Sequence, residues 1–342
     1  MGEVGKKYMS EINKRLEVST APFLKQDSTT PKIMWVVVYT LIPIVLVSFY
    51  YFGISAILIS LTAIFACTLT EWLFNEGESR FQSLHDGSAI ITGLLLALTL
   101  PPGFPLWMVF VGGMVAIGMG KAMWGGLGQN VFNPALLGRA FLQAAFPTAI
   151  TTWTPPGGSY FSLKGTNTAF PFLQGENIDA VSGATPLAQM KFEHIATDSL
   201  ALLFGNTSGS LGETCGLLLI IMGIYLLLKK IINWRIPASI LLTVIVLSGI
   251  FYFINPGLYP SPVFMLLSGG LLFGTVYMAT DLVTSPLTPK GIWVFGIGIG
   301  IFVVLIRNWG GLPEGVMYAI LLMNGATPLI NRYTKIRTYG YL

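Results

Sequence analysis

The chain has 342 residues, of which 53% are hydrophobic and only 10% charged, where soluble domains carry about a quarter of charged residues. With a mean hydropathy of +0.70, this composition excludes a soluble globular enzyme and reads as an integral membrane protein. The net charge is only +4, and two cysteines (Cys67, Cys215) with two scattered histidines (His85, His194) exclude a disulfide framework and a four-cysteine iron–sulfur site. No metal ligands are assigned.

Residues 1–32 are polar and charged, without the short apolar run and small-residue cleavage site of a signal peptide. Apolar segments follow at Ile33–Phe52, Ile54–Phe74, Gly87–Leu100, Leu106–Met119, Pro134–Phe146, Leu211–Leu228, Ile236–Ile254, Val263–Tyr277, Gly291–Ile306 and Gly315–Ile330. A helix needs about 20 residues to cross a bilayer, so several of these ten are short.

Charge sets the orientation. With the N-terminus inside, 15 of the 19 basic residues fall on cytoplasmic segments; Lys164, Lys191 and Arg307 fall outside, and Arg139 lies within a helix. This positive-inside bias predicts an all-α protein of ten transmembrane helices with both termini cytoplasmic. The positive charge then reflects topology, and membrane lipid rather than nucleic acid is the expected neighbour.

The chain divides into a cytoplasmic N-terminal segment (1–32), a first membrane helix group (33–146), an extracytoplasmic loop (147–210), a second helix group (211–330) and a cytoplasmic tail (331–342). Two groups of five form an inverted pair because five is odd. Gly87-Ser88 with Thr92-Gly93-Leu94-Leu95-Leu96 faintly echoes Gly209-Ser210 with Thr214 and Gly216-Leu217-Leu218-Leu219.

Three polar patches interrupt the apolar text. The first runs from Gly125 to Arg139 and holds Asn130, Asn133 and Pro134. A tight turn and a helix cap account for Asn133 and Pro134, but Asn130 and Arg139 are costly near a bilayer unless they line a cavity. The asparagine amides could read the edge of a planar heterocycle or border an ion path. In the second, Ala279 to Pro289, Asp281 among hydroxyls suits a small hard cation, or simply caps a loop. Asp86 before Gly87-Ser88 is a similar case, and Glu71, Glu213 and Glu314 at helix ends are expected at the interface.

The third patch lies in the outer loop and reads Asp179-Ala180-Val181-Ser182-Gly183-Ala184-Thr185. It resembles the acceptor sequence on which a flavin transferase esterifies FMN to the last threonine. Ser182, Gly183 and Ala184 supply small side chains and a flexible backbone, and Pro186 biases Thr185 toward extended geometry. A tether of this kind holds a cofactor at an effective concentration of about millimolar.

Taken with Asp86-Gly87-Ser88-Ala89, Leu100-Pro101-Pro102, Gly125 to Arg139 and Ala279 to Pro286, the motif makes residues 30–335 similar to one family. That family comprises the D subunit of the Rnf complex and the B subunit of the sodium-pumping NADH:quinone reductase. Length and the short N-terminal segment favour the Rnf member. The resemblance implies a multi-pass subunit of an ion-translocating ferredoxin:NAD oxidoreductase in a bacterial or archaeal cytoplasmic membrane. It implies covalent FMN on Thr185 and a noncovalent riboflavin among the helices, with Asn130, Asn133 and Asp281 as candidates for that site or for an ion path. It also implies other Rnf subunits (a second covalent-FMN subunit, iron–sulfur subunits and small membrane subunits), a maturing flavin transferase, and Na⁺ or H⁺ as the transported ion. The rival from another class is a small-solute channel or transporter, which carries no covalent flavin.

Overall fold

The structure is a computed structural model that describes residues 29–75, 83–164, 166–169, 183–213 and 215–335. Among these residues the secondary structure is helical, with no strand. Asp179 and Ser182 lie outside the described residues.

The first helices are α1 (Thr30–Phe52), α2 (Ile54–Phe74), α3 (Ser88–Leu98), α4 (Leu106–Gly118) and α5 (Pro134–Ala145). After the loop come α6 (Gly216–Leu228), α7 (Arg235–Ile254), α8 (Pro262–Leu267), α9 (Pro289–Trp309) and α10 (Val316–Tyr333). Five stretches are long and apolar enough to cross a membrane: Thr30–Phe52, Ile54–Phe74, Leu106–Trp124, Arg235–Ile254 and Pro289–Trp309.

Two expected spans are interrupted. Val263–Tyr277 is not one helix: α8 stops at Leu267, Gly269 turns with φ +64°, and the chain resumes as a helical turn, Leu271–Phe273, and a π-helical turn, Gly274–Met278. Leu211–Leu228 is helical only from Gly216. Its first residues instead form a turn pressed against the end of α3, where Leu211 N–H donates to Leu100 O (3.1 Å) and Gly212 N–H to Leu98 O (2.6 Å). Irregular backbone within a bilayer survives only where protein supplies its hydrogen bonds, and protein groups supply such bonds at both interruptions.

The packing is inside-out. Leu46, Phe65, Leu242 and Val246 on α1, α2 and α7 are exposed, while Lys121, Arg139, Arg307 and Asn324 are buried. Lipid-facing helices follow this pattern, because polar side chains are cheaper against each other than against hydrocarbon. Within the first group α2 packs on α3 and α4, and α4 on α5; in the second, α7 packs on α8 and α9, and α9 on α10. The groups meet where α1 lies along α6 and α5 along α10.

Small residues permit the closest approaches, as is usual between helices in lipid. Gly300 of α9 leaves room for Thr243 of α7, and a Cβ at Gly93 of α3 would lie 2.7 Å from Ile64 Cα and 2.8 Å from Ile64 N on α2. Both latter atoms are backbone and cannot swing away. Gly93→Val is therefore expected to cost at least the roughly 1–3 kcal/mol typical of overpacking. A clear drop in the thermal unfolding midpoint in detergent checks this, with Gly311→Ala, where nothing lies within 4 Å, as the unaffected control.

Candidate functional site

Thr185 opens a short helix. Its hydroxyl accepts from Ala188 N–H at 3.2 Å, Pro186 occupies the first helical position, and the turn Pro186–Ala188 runs on into a π turn, Gln189–Glu193. His194, at φ +57°, ends it. Lys191 clamps this segment onto the turn between α9 and α10, donating to the carbonyls of Ile306 (3.3 Å), Leu312 (3.0 Å) and Gly310. Burial holds the Lys191 ammonium below the usual lysine range. On the other side of Thr185, Gly183 N–H donates to Trp153 O at 2.7 Å, and any side chain at Gly183 would strike Ser208. A larger residue there would require the Ser208 side chain to move.

Thr185, Gly183 and Ala184 line a cavity of about 450 Å³, together with Trp153, Phe192, Met317 and Tyr318. Its charged wall is made by Arg139 of α5, Glu213 and Glu314. Arg139 Nη2 meets Glu314 Oε2 at 2.7 Å, and Glu314 Oε1 accepts from Gly270 N–H at 3.1 Å. Arg139 Nε and Glu213 Oε1 have no hydrogen-bond partner among the described residues. Beside this wall, Arg307 donates to Met265 O (2.6 Å) and Ser268 O (2.9 Å), the carbonyls freed where α8 breaks.

A second cavity, of about 100 Å³, opens at the opposite end of the bundle, between the start of α1, the start of α3 and the end of α6. Asn130, Asn133 and Asp281 all line it. Asn133 caps α5, accepting from Ala135 N–H at 3.0 Å, and donates to Met278 O at 3.3 Å; Asn130 donates to Phe132 O at 3.3 Å. Asp281 accepts from Val283 N–H (3.3 Å) and the Thr284 hydroxyl (3.1 Å). Lys121 reaches into the same wall with Nζ 2.6 Å from Glu71 Oε1 and 2.6 Å from Ser88 Oγ, and Ser88 in turn donates to Asp86 at 2.6 Å.

The sequence-predicted residues therefore fall into two sites. The attachment motif borders the larger cavity and the asparagines with Asp281 the smaller, and the two cavities share no lining residue. Glu71, Glu213 and Glu314, expected at the interface, all turn toward protein groups. Glu71 is 3% exposed against Lys121, and Glu213 and Glu314 face the Thr185 cavity. Glu71 lies three residues before the end of α2, Glu213 in the turn before α6, and Glu314 in the turn between α9 and α10.

An internal repeat carries a signal for Glu314 alone among them. Trp124-Gly125-Gly126-Leu127-Gly128-Gln129-Asn130-Val131 matches Trp309-Gly310-Gly311-Leu312-Pro313-Glu314-Gly315-Val316, placing Gln129 opposite Glu314, and Arg139 and Asn324 eight residues after the two valines.

The family model described as "NQR2, RnfD, RnfE family" matches residues 17–340. The chain belongs to this family. It is 39% identical over 342 residues to the D subunit of the proton-translocating ferredoxin:NAD(+) oxidoreductase complex of Clostridium ljungdahlii, covering 97% of this chain and 98% of the relative. It is 42% identical to the D subunit of the ion-translocating oxidoreductase complex of Stutzerimonas stutzeri, over 92% of this chain and 93% of the relative. The D subunit of the Na(+)-translocating ferredoxin:NAD(+) oxidoreductase complex of Acetobacterium woodii is 38% identical, with 97% of each chain covered.

Removing one partner of a buried ion pair strands the other charge, at about 3–5 kcal/mol. Lys121→Met is expected to show a loss of that order in detergent unfolding, and Lys121→Met with Glu71→Met to recover most of it.

Proposed function

We propose that this chain is the membrane flavoprotein subunit of an ion-translocating ferredoxin:NAD oxidoreductase complex of the Rnf type, with FMN joined through its phosphate to Thr185. The observation that carries this reading is the Thr185 hydroxyl on the wall of a cavity of about 450 Å³, within the roughly 300–1,000 Å³ of sites that hold cofactor-sized ligands. When bound, the flavin supplies one- and two-electron redox chemistry that no side chain offers.

The residues present fit the group. A phosphate on Thr185 would lie at the N-terminus of the helical run Pro186–Glu193, where the helix dipole favours an anion. Trp153, Phe192 and Tyr318 offer aromatic surface to a planar ring, and Arg139 a buried cation with unused donors. Lys191 fixes the carrier segment to the α9–α10 turn, so the attachment point and the charged wall hold station together.

The smaller cavity, at about 100 Å³, is too narrow for a flavin ring as it stands. Riboflavin would require it to widen. Asn130, Asn133 and Asp281 suit a cation or water path better, since all three border that narrow space with polar side chains. The relatives named for proton and for sodium translocation resemble this chain to nearly the same degree, at 39% and 38% identity, so the transported ion is either H⁺ or Na⁺.

Ten helices in an inverted five-plus-five arrangement, both termini cytoplasmic and the Thr185 loop outside, is the topology we favour. The repeated order of packing within the two groups supports it, as does the paired Trp-Gly-Gly-Leu motif at the ends of α4 and α9. On this reading the protein is incomplete alone. Iron–sulfur, NAD-binding and second flavin subunits of the complex supply and accept the electrons, and a flavin transferase matures it. The full-length match to relatives named as D subunits of such complexes favours this over membership of a sodium-pumping quinone reductase.

Co-expressed with its transferase, denatured and run on a gel, the protein is expected to fluoresce as a flavoprotein. Its intact mass should exceed the bare chain by one FMN less one water. Thr185→Val is expected to abolish both signals, and their absence from the unmodified protein would instead favour a channel without redox activity.

A further inference from the structure

Arg139 is 6% exposed and sits midway along α5, where it has a single protein partner among the described residues, Glu314 Oε2 at 2.7 Å. A guanidinium carries five N–H donors, and here Nε is buried with nothing to bind among the described residues. Glu314 is held in turn by Gly270 N–H at 3.1 Å, so the arginine is anchored on one edge and unused on the other. Nε itself is closed off from the cavity, but Arg139 lines that cavity, so a ligand there meets the guanidinium donors that Glu314 leaves unused. The wall also carries Glu213, whose Oε1 is unpartnered among the described residues, so a purely anionic ligand edge would face one cation and two carboxylates, of which Glu314 is already paired with that cation.

Resting on the flavin reading above, we infer that Arg139 is the cavity's recognition group for the carbonyl-bearing edge of the ring, and that the Arg139–Glu314 pair sets how readily the bound flavin is reduced. Taking up two electrons and one proton leaves one negative charge, which lies on the N1–C2=O edge of the ring. A guanidinium against that edge binds the reduced form more tightly than the oxidised form, as preorganised donors stabilise developing charge in a dry site. Glu314 opposes this, because its carboxylate offsets part of the arginine's charge while holding it in place. Arg139 is thus a cofactor-contact residue and Glu314 a positioning residue, and the two act on the potential with opposite sign.

The test uses the flavinylated full-length protein and a spectroelectrochemical titration of its FMN. Arg139→Gln is expected to weaken the preference for the reduced ring at least tenfold, lowering a two-electron potential by about 30 mV. Glu314→Gln is expected to raise it, Arg139→Lys to lower it less than Arg139→Gln, and the double Gln variant to fall between the two single Gln variants. Should Arg139→Gln not accumulate, Glu314→Gln and Arg139→Lys still report the signs. Shifts in one direction for both residues, or unchanged potentials in proteins that carry covalent FMN, would overturn this inference and leave the attachment at Thr185 intact. Absence of covalent FMN from the unmodified protein would overturn the flavin reading itself.

Discussion

The contact between Arg139 and Glu314 joins the two helix groups inside the bundle, and the architecture around the Thr185 cavity follows from it. Two charges withdrawn from water cost several kcal/mol each unless geometry and further hydrogen bonds compensate. Here the compensation comes from broken backbone: Gly270 offers its N–H to Glu314, and a Cβ at Gly270 would stand only 2.5 Å from Glu314 Oε1. The interruption after α8 is therefore the counterpart of the ion pair, since an unbroken helix would keep that N–H for itself. Arg307 at the end of α9 completes the arrangement by taking the carbonyls of Met265 and Ser268.

The opposite end repeats the device with different residues. Gly87, at φ +78°, precedes α3 as Gly269, at φ +64°, precedes the Leu271–Phe273 turn. Just past the end of α4, Lys121 contacts Glu71 and the Ser88 hydroxyl at the start of α3, much as Arg307 serves the break on its own side. Each helix group thus carries a left-handed glycine and a buried cation near it, Arg307 taking carbonyls that the break after α8 exposes and Lys121 taking the Glu71 carboxylate and the Ser88 hydroxyl. Lipid cannot solvate a free carbonyl or N–H, so interior charge and broken backbone come together, and each leaves a cavity beside it.

Much of this was legible in the chain. The apolar segments lie within a few residues of their helices because bilayer-length apolar runs need no partner to be recognised. Gly183, Ala184 and Thr185 were legible as a motif, and Asn133 as a cap, because both depend on neighbours in sequence. The fates of Glu71, Glu213 and Glu314 were not. A carboxylate at the end of an apolar run reads the same whether that end lies at the interface or deep in the bundle, and their partners are 50 residues away for Glu71 and 175 for Glu314.

By itself the sequence determined the solvent, the helical class, the positions of most apolar segments and the motif that ends in Thr185, all of which rest on composition or on residues adjacent in the chain. Only the tertiary structure decided that Thr185 faces Arg139 rather than Asn133, that the polar patches form two separate cavities, and that helix-end carboxylates are buried beside cations. Those facts depend on where breaks such as Ser268-Gly269-Gly270 fall against distant charges, and a glycine's choice of the left-handed region is settled by what packs around it.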